Sequence, residues 1–562
     1  MFKNPSMQIK QSILRVLILL VPYAGITQTT YLAQGAKENI LLERLEIKAS
    51  SDSVLNFSKI KPFSRRQVTM RVAGTDSSGI SRVDRHNIRS FLMNNLEWVP
   101  GDLTEYKSKK PVGKRFYKTP ANLFEVNNPD FFLAVNPVIQ YVLSKESNNS
   151  QHLFLNTRGL SIRARIANKI GFAAYLTDNQ ERDPLYVQAF EQKFSALPGV
   201  GFYKDFKVAG YDYFDARGYF TFNITKYIDV AFGYDKNFIG NGHRSLFLSD
   251  FSNGNLFLKL NTRIWKMNYQ NLFMELHSTA PLVGDKLLPK KYAAIHHIDF
   301  GVTKWLNIGL FEAVIFGRKD HFEFGYLNPV IFYRSIEQQN GSFDNSLLGL
   351  DAKANVAKRF QFYGQFLLDE FLLSEIKKNR GWWANKVGLQ AGAKYIDAFK
   401  IKNLDLQFEY NRVRPFTYSH RDSVANYAHY NQPLAHPLGA NFKELIAIAR
   451  YQPAPKWLAQ VKLIGYTQGM DSSSESFGSN ILLPNVSPYR RKDFGYNIGS
   501  GHFTKVFLAS FLLSYELREN LFIELSALAR QLETTTRPVT SQNTTVFSVG
   551  VRWNMHRREF DF

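Results

Sequence analysis

From about Phe131 onward the chain repeats one arrangement of apolar and polar residues. "NLDLQFEYN" puts Leu404, Leu406, Phe408 and Tyr410 on one side, and Asp405, Gln407, Glu409 and Asn411 on the other. "LSIRARI" sets Leu160, Ile162, Ala164 and Ile166 against Ser161, Arg163 and Arg165, and "NLFLKLNTR" sets Leu256, Leu258 and Leu260 against Lys259, Asn261 and Arg263. "LGLDAKANV" and "TVFSVGVRWN" alternate in the same way. A period of two marks a β-strand with one greasy and one wet face. A soluble sandwich would also alternate. Here the wet faces are charged along their whole length, and the strands reach ~10 residues, enough for a tilted strand to cross a bilayer. The links alternate too. Short ones fall near 168–169, 225–227, 264–267, 303–305, 358–359, 397–402, 453–456 and 518–520. Long ones fall near 178–215, 235–254, 278–293, 317–345, 370–385, 414–441, 468–503 and 531–542. Such links predict an all-β transmembrane barrel of about 18 antiparallel strands over residues 131–562. The closing "RREFDF" places an aromatic, Phe562, after the last amphipathic strand, as outer-membrane barrels commonly do.

Residues 29–130 lack the alternation. "AKENILLERLEIK" and "NIRSFLMNNLEWV" read as helices, the second with Ile88, Phe91, Leu92 and Leu96 on one stripe. Helices ahead of the first strand are expected on the periplasmic side, beneath or inside the barrel mouth. Residues 1–28 carry Lys3, Lys10 and Arg15, then "VLILLV", then Pro22, Ala24 and Gly25. That order is a secretory signal peptide, cleaved between Ala24 and Gln28; the apolar run is far short of the ~20 residues of a spanning helix.

Charge narrows the partners. A formal net charge of +22 calls for an anionic partner, and an exported protein does not meet nucleic acid. Acidic polysaccharide, outer-membrane lipid and lipopolysaccharide remain. With no cysteine, disulfides and thiolate metal sites are excluded.

"FIGNGHRSLFLSD", 238–250, contains G-x-G-x-x-S, close to a pyrophosphate-binding turn. It follows "IDVAFGYD", which alternates, and precedes "NGNLFLKLNTR", another alternating strand. A dinucleotide fold needs a buried strand before the glycines and a helix after them. The segment is therefore read as a loop whose glycines permit tight turns.

This segment, the helical region and the strand count resemble capsule-assembly outer-membrane proteins of the Wzi type, over most of the mature chain. "NRVRPFTYSHRDSVANYAHYNQPLAHPLGANFKE" resembles the branch of that family often labelled gliding-motility proteins. The resemblance implies an 18-stranded barrel, plugged by helices, that holds surface polysaccharide at its extracellular face, lectin-like and without catalysis. The long 414–441 and 468–503 loops depart from the family.

Sugar recognition needs aromatic faces together with charged and amide groups. The family-like segment supplies Arg244, Ser245 and Asp250; the following loop supplies Arg414, Tyr418, Arg421, Tyr427 and Tyr430. The alternative for the loop residues is that they pack the loop on itself and cap the barrel. His420, His429 and His436 lack helical i, i+4 spacing, so no metal or other cofactor is expected. Ser245 and His243 lie too close in sequence for a standard triad, so no catalytic set is expected. Two other readings remain open: a structural subunit of a motility or secretion complex, and a diffusion porin.

Overall fold

The computed structural model describes residues 29–562, except 77–78, 283–284, 286, 320, 331, 342 and 536–538. The signal-peptide segment lies outside the described residues. Eighteen antiparallel strands close a barrel. In chain order they are β1 (Phe131–Glu146), β2 (Leu153–Ile166), β3 (Ile170–Arg182), β4 (Gly210–Thr225), β5 (Ile228–Asp235), β6 (Asn255–Ile264), β7 (Met267–His277), β8 (Lys290–Gly301) and β9 (Leu306–Phe316). The second half comprises β10 (Asn345–Val356), β11 (Phe360–Glu370), β12 (Lys386–Tyr395), β13 (Leu404–Val413), β14 (Phe442–Tyr451), β15 (Trp457–Met470), β16 (His502–Arg518), β17 (Leu521–Thr534) and β18 (Thr540–Trp553). Closure pairs β18 with β1, from Val546 opposite Glu146 to Trp553 opposite Ile139.

The faces follow from the alternation. Phe408 is 56% exposed and Val549 49%, whereas Gln407 between the strand's apolar residues is 4% exposed and binds the Tyr363 hydroxyl inside. An apolar exterior costs nothing against acyl chains, while the lumen accepts the polar side.

Three helices precede the barrel: α1 (Glu38–Ala49), α2 (Arg65–Ala73) and α3 (Arg82–Met93). Ser64 and Ser81 cap α2 and α3 by accepting the Gln67 and Asp84 N–H groups. α2 was not legible from periodicity, and α3 begins five residues before the stripe suggested and stops at Met93, because Leu96–Trp98 tighten into a 3₁₀ turn. Leu41, Leu42, Leu45, Val68, Val72, Phe91 and Leu92 form the shared core of this unit. Charged contacts fix it within the short-link end of the barrel. Arg44 binds Asp84, Asp397 and Asp405; Lys394 reaches Glu43 at 2.6 Å; Lys37 reaches Glu516 and Glu519 at 2.5 Å; and Lys59 sits between Asp299 and Asp351.

Alternation weakens in "NLFMELH", "YAAIHHI" and "LFEAVIF" on β7–β9, where both faces are covered. Inside, loops 236–254 and 414–441 fold down and pack Leu246, Phe247, Tyr418, Tyr427 and Leu434 against Leu272, Ile295 and Ile315. Outside, residues 322–330 and 332–340 lie as a flap over the wall, with Phe322, Tyr326, Tyr333 and Ile336 packed against Phe273, Tyr292 and Val314. Its helix α4 (Tyr333–Gln339) places the Tyr333 ring 3.9 Å from that of His296.

Two details differ from the sequence expectation. The link expected at 531–542 is a short hairpin, since β17 continues to Thr534 and β18 resumes at Thr540. Phe562 does not end a strand: β18 stops at Trp553, and the following segment turns into the lumen, where Phe562 is buried beside Phe190. Ion pairs and an aromatic pocket there outcompete extension of the ladder.

Candidate functional site

The glycine segment shows why local sequence fixes its shape. A side chain at Gly242 would lie 2.6 Å from both the Arg244 carbonyl and Glu409 Oε2, so only glycine fits. The His243 and Arg244 N–H groups point at Glu409, at 2.7 and 3.0 Å. The turn therefore does cradle an anion, and the anion is a carboxylate of the barrel wall. Ser245 spends its hydroxyl on the turn, donating to the Ile239 carbonyl and accepting the Phe247 N–H. His243 faces Asp561 at 2.8 Å instead of Ser245.

Arg244 is buried and forms ion pairs with Asp561 at 2.8 Å and Glu444 at 3.4 Å. Burial alone would raise the Asp561 carboxyl, but Arg244, Lys462 and His243 outweigh it and hold the group well below the usual carboxylate range. Tyr418 and Tyr427 are fully buried and donate their hydroxyls to the Leu246 and Phe247 carbonyls at 2.8 and 2.7 Å. They bind one loop to the other. Arg414 is half-buried and donates to the carbonyls of Asn385, Trp382 and Tyr496. Tyr430 is also half-buried, its ring 4.5 Å from those of His277 and His429. Asp250 and Arg421 are exposed, Arg421 with its guanidinium 4.7 Å from the centre of the Phe343 ring. Of the eight residues singled out, four are thus buried in the loop scaffold, two are half-buried and two are open.

The three loop histidines do not converge. His420 accepts the Asp422 N–H, His429 lies between Gly254 and His277, and His436 contacts Glu444. Among the described residues no group of three potential metal ligands comes together.

A basic, aromatic rim at the long-loop end carries the most open chemistry. Loops 371–385 and 471–501 zip together, with the Gly495 N–H on the Arg380 carbonyl and the Tyr496 N–H on the Gly381 carbonyl, both at 2.9 Å. Arg380 lies 4.1 Å from the Phe494 ring centre, and Arg490 lies 4.2 Å from that of Trp383. Lys377, Lys378, Arg491 and Lys492 are exposed beside them. Of these six cations, Lys378 and Arg380 pair with Glu375 and Arg490 pairs with Asp493. Sequence reading located these loops without singling out their residues. The signal was present as "KKNRGWW" and "YRRKDFGY", two basic–aromatic runs that begin at Lys377 and at Tyr489.

Between the helical unit and the infolded loops, the lumen retains a cavity of about 700 Å³. Its lining includes Lys61, Arg65, Lys236 and Arg217 as well as Asp235 and Glu559.

No family model and no curated protein matches the chain. Among solved structures it is similar to Wzi of Escherichia coli, described as an outer-membrane carbohydrate-binding β-barrel involved in group 1 capsule assembly. The TM-score is 0.56 at 11% identity, covering 95% of this chain and 100% of that one. OprD of Pseudomonas aeruginosa aligns at a TM-score of 0.42 and 12% identity, over 75% of this chain and 94% of that one. Closed strand order, apolar exterior, and the full-length match in fold together make the chain an outer-membrane β-barrel with a Wzi-like fold.

Proposed function

We propose that this barrel binds acidic surface polysaccharide at its extracellular, long-loop face and does so without catalysis. The carrying observation is a rim in which guanidinium groups lie against aromatic rings: the exposed Arg380 on Phe494 and Arg421 on Phe343, and the half-buried Arg490 on Trp383. Aromatic faces suit sugar C–H groups, and guanidinium forks suit carboxylates or phosphates. The structurally similar Wzi is a carbohydrate-binding barrel, which supports the same ligand class here. In this reading residues 29–130 face the periplasm and close the lumen from below. Arg421 belongs to the contact set, while Arg244, Ser245, Tyr418 and Tyr427 shape the loops beneath it; Arg414 and Tyr430 are half-buried, and Asp250 opens to the lumen cavity.

The test is binding of purified protein to the cell's own surface glycan across ionic strength. Exposed ion pairs weaken as the Debye length falls from ~10 Å at 0.1 M salt to ~3 Å at 1 M. Wild-type binding should fall with salt without vanishing. Arg491→Ala with Lys492→Ala should remove most of the salt-sensitive part, and Phe494→Ala should reduce the remainder. Absence of glycan binding at every salt concentration would end this reading.

A second reading, a subunit of an outer-membrane motility or secretion complex, draws on the flap. Phe324, Val330 and Phe332 there are 80%, 86% and 68% exposed on the outer wall. Co-purification of a stable protein complex that survives loss of the rim cations would favour it.

A further inference from the structure

The segment Met555–Phe562 enters the lumen instead of extending β18. Asn554 makes the last backbone–backbone hydrogen bond, donating to Asn520 at 3.0 Å; among the described residues none follows it. Side chains hold everything beyond. Asp561 meets two cations and an imidazole: Arg244 and His243 at 2.8 Å and Lys462 at 2.5 Å. Lys462 also binds Glu559, and Arg244 donates to the Asp561 carbonyl at 2.6 Å. Phe562 fills a pocket of Phe190, Phe251 and Tyr186, with ring centres at 5.0, 5.8 and 6.1 Å.

Lys462 makes the site more than a packing accident. Its side chain is 2% exposed, and both of its carboxylate partners come from this segment. Were the segment to leave, Lys462 and Arg244 would line a cationic pocket short of two carboxylates, which attracts another anion. Glu559, Asp561, Arg244 and Lys462 also border the lumen cavity, which gives a competing chain room to approach. A segment attached only through side chains can exchange without breaking any strand pairing.

We propose that His243, Arg244 and Lys462 form a binding site for an acidic, aromatic peptide, and that this chain fills the site with its own residues 559–562. The acidic pair supplies the charge recognition, and Phe562 supplies an apolar anchor that fixes register. The inference stands apart from polysaccharide binding at the outer rim, and neither result decides the other.

The test uses the full chain in detergent, with heat-modifiable migration confirming a closed barrel. Glu559→Gln with Asp561→Asn weakens the resident segment while leaving the site's cations in place. A fluorescent peptide of sequence MHRREFDF should then bind this variant, whereas the wild-type chain, already occupied, should bind it roughly thirtyfold or more weakly. The same peptide carrying Gln and Asn in place of its Glu and Asp should lose a similar factor. A second readout needs no peptide. Trypsin should spare Arg557 and Arg558 in the wild type and cut there about tenfold or more faster in Lys462→Gln, since each tenfold is ~1.4 kcal/mol of lost docking. Wild-type cleavage at Arg557 as fast as at the exposed Arg491 would overturn the proposal. So would peptide binding that ignores the acidic pair, or unchanged protection in Lys462→Gln together with no peptide binding to the double variant.

Discussion

His429 shows how one side chain can hold a loop and make it sensitive to acid. Its Nε2–H donates to the Gly254 carbonyl at 2.9 Å, and its Nδ1 accepts the His277 N–H at 2.9 Å. Only the neutral ring satisfies both partners, because a carbonyl can only accept and an N–H can only donate. Burial pushes its pKa down to about 3, from an ordinary value near ~6.5. The folded form therefore binds fewer protons than the unfolded form between those values, and stability must rise with pH across that window. Acidification from pH 7 to pH 5 should withdraw about 2 kcal/mol from the docked 414–441 loop, at ~1.4 kcal/mol per pH unit below ~6.5. Protease access to the loop should increase over that range in the wild type. His429→Gln, whose amide can place one acceptor and one donor, should be less stable at pH 7 and flatter with pH.

At the scale of the element, the flap explains three residues that the barrel rule forbids. Asn271, His296 and Glu312 lie directly opposite one another across β7, β8 and β9, on the outward face midway along β8. Polar groups at that depth are costly against lipid. The flap covers them: Tyr333 stacks on His296, the Arg334 N–H donates to Glu312 at 3.1 Å, and Tyr269 reaches the Pro329 carbonyl at 2.5 Å. Arg318 and Tyr326 tie its base to Asp344. Replacing residues 322–340 by a Gly/Ser linker should lower the folded fraction seen by heat-modifiable migration. Combining it with Asn271→Leu, His296→Leu and Glu312→Leu should restore much of that fraction. Failure of the leucines to help would mean that the flap contributes by some means other than shielding the row.

At the scale of the whole molecule, two layers lie within the barrel. The helical unit occupies the short-link end, and loops 236–254 and 414–441 build an apolar core at the other. The two layers touch where Ile60–Lys61 pairs with Phe238–Ile239. Deleting residues 29–130 should therefore leave conductance low in planar bilayers. Deleting them and shortening loop 236–254 together should open a steady channel. Large conductance from the intact chain would instead make the porin reading the better one.

The sequence by itself determined the wall. Strand facing at Phe408, Val549 and Lys259 follows from a period of two, because lipid outside and polar surroundings inside select opposite residues at every step. The short links at Asn168–Lys169 and Arg518–Asn520 were legible for the same local reason. Tertiary structure decided what fills and covers that wall. Arg244, Tyr418 and Tyr427 read as ligand groups along the chain, yet their partners are Asp561, Leu246 and Phe247, up to 317 residues away. The row at Asn271, His296 and Glu312 and the lumen course of Met555–Phe562 were equally hidden. Periodicity records the average medium on each side of a strand. It carries no trace of which distant segment occupies that side, because ion pairs and burial are set by neighbours in space.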